Sequence, residues 1–458
     1  MADHFKEQGG AATMDPNVFK RWLTSRVMSR LSQFVYMEAR HEAEERKRIK
    51  RGAPHRIDYF HQVDDGYSHL VAQVLMQFVQ RYEIELHCYL VRAPEGKNIA
   101  EPELLPRLSR YDSHLIAPGY GLTFPDHPKA PDPKLVSLAT RILATQSDEG
   151  FINVAAPVGS ALWTGNQAEL ERLASKYGSA SLGKADTVLA FGTGLRRKLK
   201  HYSGAMFHYG GEWYWGVDRL YLLEQRLIRF GADQKPGEQM IAPRPTIDLA
   251  GQKDNGKFTL EFYASLRSPY TAVIFDRVLA FARAANVKLN LRPVLPMVMR
   301  GLPTTREKGV YIFTDAAREA RAAGVPYGDF YDPIGDPVRR CYALYPWADS
   351  HGKATELFSS FLRHAFVLGV NTNNDRGLRK VVEAAGLDWI EAQAHRCDTE
   401  WENLLEENRK NMYAAGLWGV PSFRLLDTEK EGILSVWGQD RLWLVAQILR
   451  KALSESRI

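Results

Sequence analysis

Residues able to do chemistry fall at a few places in this chain. Ser268-Pro269-Tyr270-Thr271 opens an apolar stretch directly after Arg267. Serine is a favoured helix N-cap and proline a favoured first helical residue, so the pair starts a helix, and a capping hydroxyl can still donate a hydrogen bond to an anion. Asp64 and Asp65 stand near His61 and His69. Imidazole and carboxylate are reasonable metal ligands, but the preferred reading of this group is structural, with no metal. Cys88, Cys341 and Cys397 are too scattered for a disulfide framework or a close-spaced metal cluster and read as reduced packing thiols. Val420-Pro421 precedes an apolar alternation, and Gln439-Asp440 stands where a closing helix begins, with Asp440 placed to complement the helix dipole. Lys308 lies on a helix pattern.

The elements that position these residues occur twice. A chain of 458 residues exceeds one core, and about 150 residues per domain gives two or three. A strand at Ile57 to Phe60, a helix at Tyr67 to Arg81 and a strand at Glu83 to Val91 return as Leu260 to Tyr263, Tyr270 to Ala284 and Val287 to Val294. Without a gap, Ile57 falls on Leu260 and Tyr67 on Tyr270. Trp215 to Leu227 (WGVDRLYLLEQRL) matches Trp437 to Leu449 (WGQDRLWLVAQIL) at eight of thirteen positions. A unit of roughly 200 residues occurring twice is a domain duplication, since solenoid periods run from about 20 to 50. Gly231 to Gly256, rich in proline and glycine, reads as the linker.

In the second unit a helical insert carries patterns near Thr304 to Ala323, Lys353 to Leu368, Arg376 to Ala385 and Asp398 to Ala415. In the first, the insert is less regular between Pro102 and Pro133. Strands at Ser422 to Leu426 and Gly432 to Val436 then lead into the closing helix. A β-α-β start, an insert and a β-β-α finish make a thioredoxin fold with a helical subdomain. The fold class expected is α/β: two tandem thioredoxin-like domains, each with an inserted helical subdomain, plus an N-terminal helix. The domains run 1–56 (leader), 57–230, 231–257 (linker) and 258–458.

Most of the net charge of +6 sits in the leader, so the rest of the chain gives no electrostatic signal for nucleic acid. Residues 17 to 50 read as one amphipathic helix with Phe19, Trp22, Val27, Leu31, Phe34 and Val35 on its apolar stripe. That stripe is expected to dock on its own protein and the basic end to be solvated; nucleic acid or membrane contact is not expected. Neither a membrane span nor a secretory signal is visible, and a cytoplasmic location follows as the expectation.

FYASLRSPYTAV, KGVYIFTDAAREARAAGVP, GLWGVPSF and WGQDRL, in that order, resemble four motifs of the DsbA-like thioredoxin family, in its 2-hydroxychromene-2-carboxylate isomerase and kappa-class glutathione transferase group. The resemblance covers the second unit. It implies glutathione as cofactor and Ser268 as the catalytic hydroxyl, standing where disulfide oxidoreductases of this fold carry sulfur. It implies a cis Val420-Pro421 loop that pairs with the cysteinyl part of glutathione, Gln439 and Asp440 at the γ-glutamyl end, and Lys308 at a carboxylate. Arg267 and Tyr270 become substrate contacts. The family's asparagine ahead of that lysine has no match in MRGLPTTRE. The activity implied is that of a glutathione-dependent isomerase or transferase acting on an electrophilic aromatic or unsaturated organic acid; the alternatives are a non-catalytic tandem thioredoxin-fold interaction protein and a DsbA-family oxidoreductase homologue lacking the redox cysteine pair. An intra-chain pseudo-dimer is expected, or a homodimer of such chains. In the first unit Asp65 and Gly66 replace Ser268 and Pro269 and Ala205 stands for Pro421, so that site reads as degenerate.

Overall fold

The computed structural model describes residues 11–455. Its contacts divide the chain into two compact units, one running Ala39–Thr246 and the other joining the residues before Ala39 to those from Ile247 onward. The proline- and glycine-rich segment is tied down at both ends. Buried Glu224 accepts from the amides of Ile241 (2.8 Å) and Ala242 (3.1 Å) in the first unit. Asp248 pairs with Arg450 (2.8 Å) in the second.

The first two α-helices among the described residues are α1 (Val18–Ser32) and α2 (Phe34–Lys50). The single helix expected over 17–50 is broken at Gln33, whose ψ of 135° is extended. The expected docking is also reversed. Arg21, Ser25 and Ser32 are the buried residues of α1, while Phe19, Trp22 and Val27 are exposed. The cause is the segment 328–334, whose backbone has polar groups to satisfy on the side facing α1. Arg21 donates to the carbonyls of Asp332 (2.7 Å) and Ile334 (2.6 Å). The Ser25 hydroxyl accepts from Asp332 N (2.9 Å), Ser29 meets both backbone atoms of Phe330, and Ser32 donates to Gly328 O (3.2 Å). Buried backbone polar groups must be paired, and side chains at helical spacing pair these.

In the first unit, β1 (Arg56–His61), the short helices α3 (Gly66–Ala72) and α4 (Leu75–Arg81), and β2 (Glu85–Leu90) are followed by five insert helices, Leu104–Ile116, Pro133–Leu143, Asp148–Trp163, Gln167–Tyr177 and Leu182–Lys198. The hairpin β3 (Met206–Tyr209) and β4 (Glu212–Trp215) and a closing helix Leu220–Arg229 complete it. The sheet order is β2-β1-β3-β4, with β1 parallel to β2 and antiparallel to β3.

The second unit repeats that order as β6-β5-β7-β8. Its parts are β5 (Thr259–Ala264), a site helix Pro269–Ala285, β6 (Lys288–Pro293), an insert that begins with the helix Arg306–Ala322, the hairpin β7 (Ser422–Leu426) and β8 (Gly432–Trp437), and the closing helix Leu442–Glu455. Strand β5 is central and covered on both faces, which is why Leu260, Phe262, Tyr263 and Ala264 are all fully buried. Phe262 stacks on Phe423 across β5 and β7 at 5.2 Å. Glu261, the one charge in β5, is buried between Arg292 of β6 (2.7 Å) and Arg424 of β7 (3.0 Å), so a carboxylate in the middle of the sheet is paired from both neighbours.

Candidate active site

Strand β5 ends at Ala264, and after a short turn Ser268 caps the site helix. Its Oγ accepts from Thr271 N (3.2 Å), with Pro269 in the first turn. The hydroxyl proton is directed at Val420 O, 3.3 Å away. That is long for an O–H···O bond, whose usual length is about 2.7–2.8 Å. The sequence-distant turn before β7 is thereby brought to the helix start, and the Val420–Pro421 peptide in it is cis.

Around this pair the loop is held from three sides. Pro421 O accepts from Gly438 N (3.0 Å), which ties the closing motif to the loop. Buried Arg300 donates to Trp418 O (3.0 Å) and Leu295 O (3.1 Å). Trp418 and Trp437 meet at 4.8 Å between ring centroids. Gly419 is a steric necessity: a Cβ there would stand 2.4 Å from the indole nitrogen of Trp437 and 2.6 Å from its ring. We expect Gly419→Ala to displace the Trp437 ring and lower stability by about 1–3 kcal/mol, the usual range for overpacking. Denaturant unfolding of the variant checks this, and an unchanged midpoint would mean the loop gives way freely.

Lys308 lies at the first turn of the helix Arg306–Ala322, is buried, and places its Nζ 5.8 Å from the Trp418 ring centroid. Burial holds its ammonium below the usual lysine pKa. Gln439 is buried as well, and its amide donates to Glu319 Oε2 (2.6 Å) on the same insert helix. Its Oε1, Thr304 Oγ1 and Trp418 Nε1 are buried without a hydrogen-bond partner. Asp440, at the start of the closing helix, pairs with its neighbour Arg441 (3.3 Å).

Arg267 and Tyr270 flank Ser268 in sequence, but their polar atoms are engaged within the protein. Arg267 gives Nε and Nη2 to Asp332 (2.8 and 3.1 Å). Burial opposes its charge, and the Asp332 carboxylate outweighs burial and holds the guanidinium above its usual value. The Tyr270 hydroxyl donates to fully buried Asp315 (2.7 Å), which also receives Arg318 (2.8 Å). The first unit has the same device, Tyr67 donating to Asp112 (2.8 Å). Ser268, Val420 and Pro421 thus come together directly, Lys308 joins them through Trp418, and Asp440 through Gly438.

Trp418, Arg300 and Asp332 shape this site and were not singled out as site residues from the sequence. Trp418-Gly419 and Trp437-Gly438 are two Trp-Gly pairs inside the quoted motifs, a signal that was readable. Arg300 and Asp332 act through backbone carbonyls and a distant helix, which no local pattern records.

At the corresponding position of the first unit, Asp65 caps α3, accepting from Ser68 N (2.9 Å) and Ser68 Oγ (2.8 Å). Burial raises its pKa to about 6. His61 and His69 are buried and neutral, with pKa values pushed down by burial to about 3 and about 4. Among the described residues no group of three His, Cys, Asp or Glu is placed to hold a metal ion. Burial pushes the thiols of Cys88 and Cys341 up, which leaves them inert. An open groove of about 1100 Å³ lined by Asp276, Leu279, Arg283, Ser359 and Arg363 contains none of the site residues. No helix among the described residues is long and apolar enough to cross a membrane.

Residues 259–450 match the family model of the DSBA-like thioredoxin domain. No curated protein matches the chain significantly in sequence. Solved structures similar to it include 2-hydroxychromene-2-carboxylate isomerase, at 16% identity over 43% of this chain and 98% of that one, with a TM-score of 0.37. A probable DsbA oxidoreductase from Streptomyces coelicolor is 20% identical over 44% of this chain and 90% of its own (TM-score 0.33). The cytosolic disulfide reductase DsbM from Pseudomonas aeruginosa, solved with GSH, is 15% identical over 44% and 100% (TM-score 0.33).

Proposed function

With residues 259–450 forming a DsbA-like thioredoxin domain, we propose that this unit is a glutathione-dependent isomerase or transferase acting on an electrophilic aromatic or unsaturated organic acid. The observation that carries the reading is Lys308, a buried ammonium on the Trp418 ring that no carboxylate among the described residues pairs with. An uncompensated buried charge is costly, and an anionic ligand offsets that cost. The donor set fits glutathione in kind: the Ser268 hydroxyl for sulfur, the Val420 backbone for the cysteinyl unit, and buried Gln439 Oε1 and the Asp440 carboxylate for an ammonium.

When bound, glutathione supplies a thiolate that adds to the electrophilic carbon of the acid. The chain's own part is to stabilise that thiolate and to hold the acid. Ser268 already uses its oxygen as an acceptor for Thr271 N, so its single proton is available, and its present bond to Val420 O is weak. With Ser268 and Thr271 at the two positions where disulfide enzymes of this fold carry sulfur, the protein offers no thiolate there for disulfide exchange. Arg267 and Tyr270, held by Asp332 and Asp315, position the turn and the helix.

Calorimetric titration of the full chain with glutathione tests this. Saturable binding is expected, weakened about tenfold or more in Lys308→Met, which loses a charge-assisted contact. The same variant should melt no lower than the wild type, because it removes a desolvated charge. Failure of the wild type to bind glutathione would sink the proposal.

A further inference from the structure

Helix α1 presents an unusual outer face. Its polar side chains Arg21, Ser25, Ser29 and Ser32 are spent on the backbone of Gly328, Phe330, Asp332 and Ile334. Outside stand Val18 (71% exposed), Phe19 (69%), Trp22 (44%), Leu23 (46%) and Val27 (48%). Phe34, Val35 and Tyr36 at the start of α2 are exposed too. Between Asp15 and Glu38 the chain has four basic residues and no acidic one, and Lys20, Arg26 and Arg30 are exposed. Phe19, Leu23, Arg26 and Arg30 follow at three- and four-residue spacing, so apolar and cationic side chains share one face.

The helix cannot roll over to hide that face. Rolling would strip Arg21 of two carbonyl acceptors and the amides of Phe330 and Asp332 of their serine partners, leaving buried groups unpaired. What covers the face is decided by its charge. An isologous contact with a second copy would set Lys20, Arg26 and Arg30 against the same cations, with no carboxylate among the described residues of α1 to relieve them. Nucleic acid would take the cations, but such interfaces are polar, and Val18, Leu23 and Val27 would meet no apolar surface. A bilayer surface rich in anionic lipid accepts both kinds of side chain: aromatic and aliphatic groups enter the headgroup boundary while lysine and arginine reach lipid phosphates and carboxylates.

We infer that this face of α1 seats the protein on an anionic membrane surface, the reverse of what the leader's sequence suggested. The full chain should sediment with vesicles of equal parts phosphatidylcholine and phosphatidylserine, sediment poorly with phosphatidylcholine alone, and be released by high salt. The triple variant Lys20→Gln, Arg26→Gln, Arg30→Gln should lower partitioning onto the mixed vesicles about 100-fold, and Phe19→Ser with Trp22→Ser at least about tenfold. Both should keep the wild-type melting curve, since every altered side chain is exposed; if the serine variant melts early, the glutamine variant decides alone. No sedimentation with mixed vesicles overturns the inference, as does sedimentation that neither variant reduces. So does a wild-type dimer on size exclusion that the serine variant turns into monomer, because a second copy then covers the face.

Discussion

Ser268→Ala is expected to raise the pKa of bound glutathione by about one to two units and to cut turnover about 10- to 150-fold near neutral pH, with the loss shrinking as pH rises. The magnitude follows from removing a hydrogen bond to a charged sulfur, about 1.5–3 kcal/mol. The hydroxyl has a second role that must be separated from this one. It caps the site helix through Thr271 N, and losing an N-cap costs about 0.5–2 kcal/mol of stability. Titrating the thiolate absorbance of bound glutathione in wild type and variant, beside a melting curve for each, tells the two apart. A lowered melting temperature with an unmoved thiol pKa would leave Ser268 as a cap and withdraw its catalytic role.

The first unit gives the second large effect. Folding raises the Asp65 pKa from an ordinary 3.8 to about 6, chiefly by burial. A carboxyl whose folded pKa lies above its unfolded value binds more protons when folded, so stability falls as pH rises between the two values and stays reduced above them. Asp65→Asn keeps an oxygen for Ser68 N and removes the charge. For this partly exposed group it should stabilise the first unit by about 2 kcal/mol near pH 8 and by about half that near pH 5. His61 and His69 act in the other sense, because their folded pKa values of about 3 and about 4 lie below the unfolded one, and they cost stability as pH falls below about 6.5. The variant should therefore show a steeper loss of its melting temperature on acidification than the wild type. A gain that does not change with pH would refute the burial of charge at Asp65.

The fold was legible because its punctuation is local. Ser268-Pro269, Val420-Pro421 and the Trp-Gly pairs each dictate backbone at their own position, and they come in the order the sheet needs. Helix α1 was misread for a different reason. Periodicity reports that a helix has two unlike faces, and burying the apolar one is the default; here Arg21, Ser25, Ser29 and Ser32 find backbone partners some 300 residues away, and those partners win. Arg267 is a similar case. Its type and place beside Ser268 suggested a ligand carboxylate, but Asp332, which also anchors α1, is the carboxylate it meets. Local pattern carries backbone geometry well and long-range polar pairing poorly.

The helix Arg306–Ala322 is fixed at two points of one stripe, by Tyr270 on Asp315 and by Gln439 on Glu319. Lys308 lies on that stripe seven residues before Asp315, about 10 Å along the axis at 1.5 Å per residue. A rod pinned twice cannot slide, so the point from which the Lys308 side chain springs is held in place, and its contact with the Trp418 ring directs the ammonium. On the reading proposed above the unit works as a gauge. It would sort organic acids by the length between carboxylate and reacting carbon, and an acid one bond too short would bind without reacting.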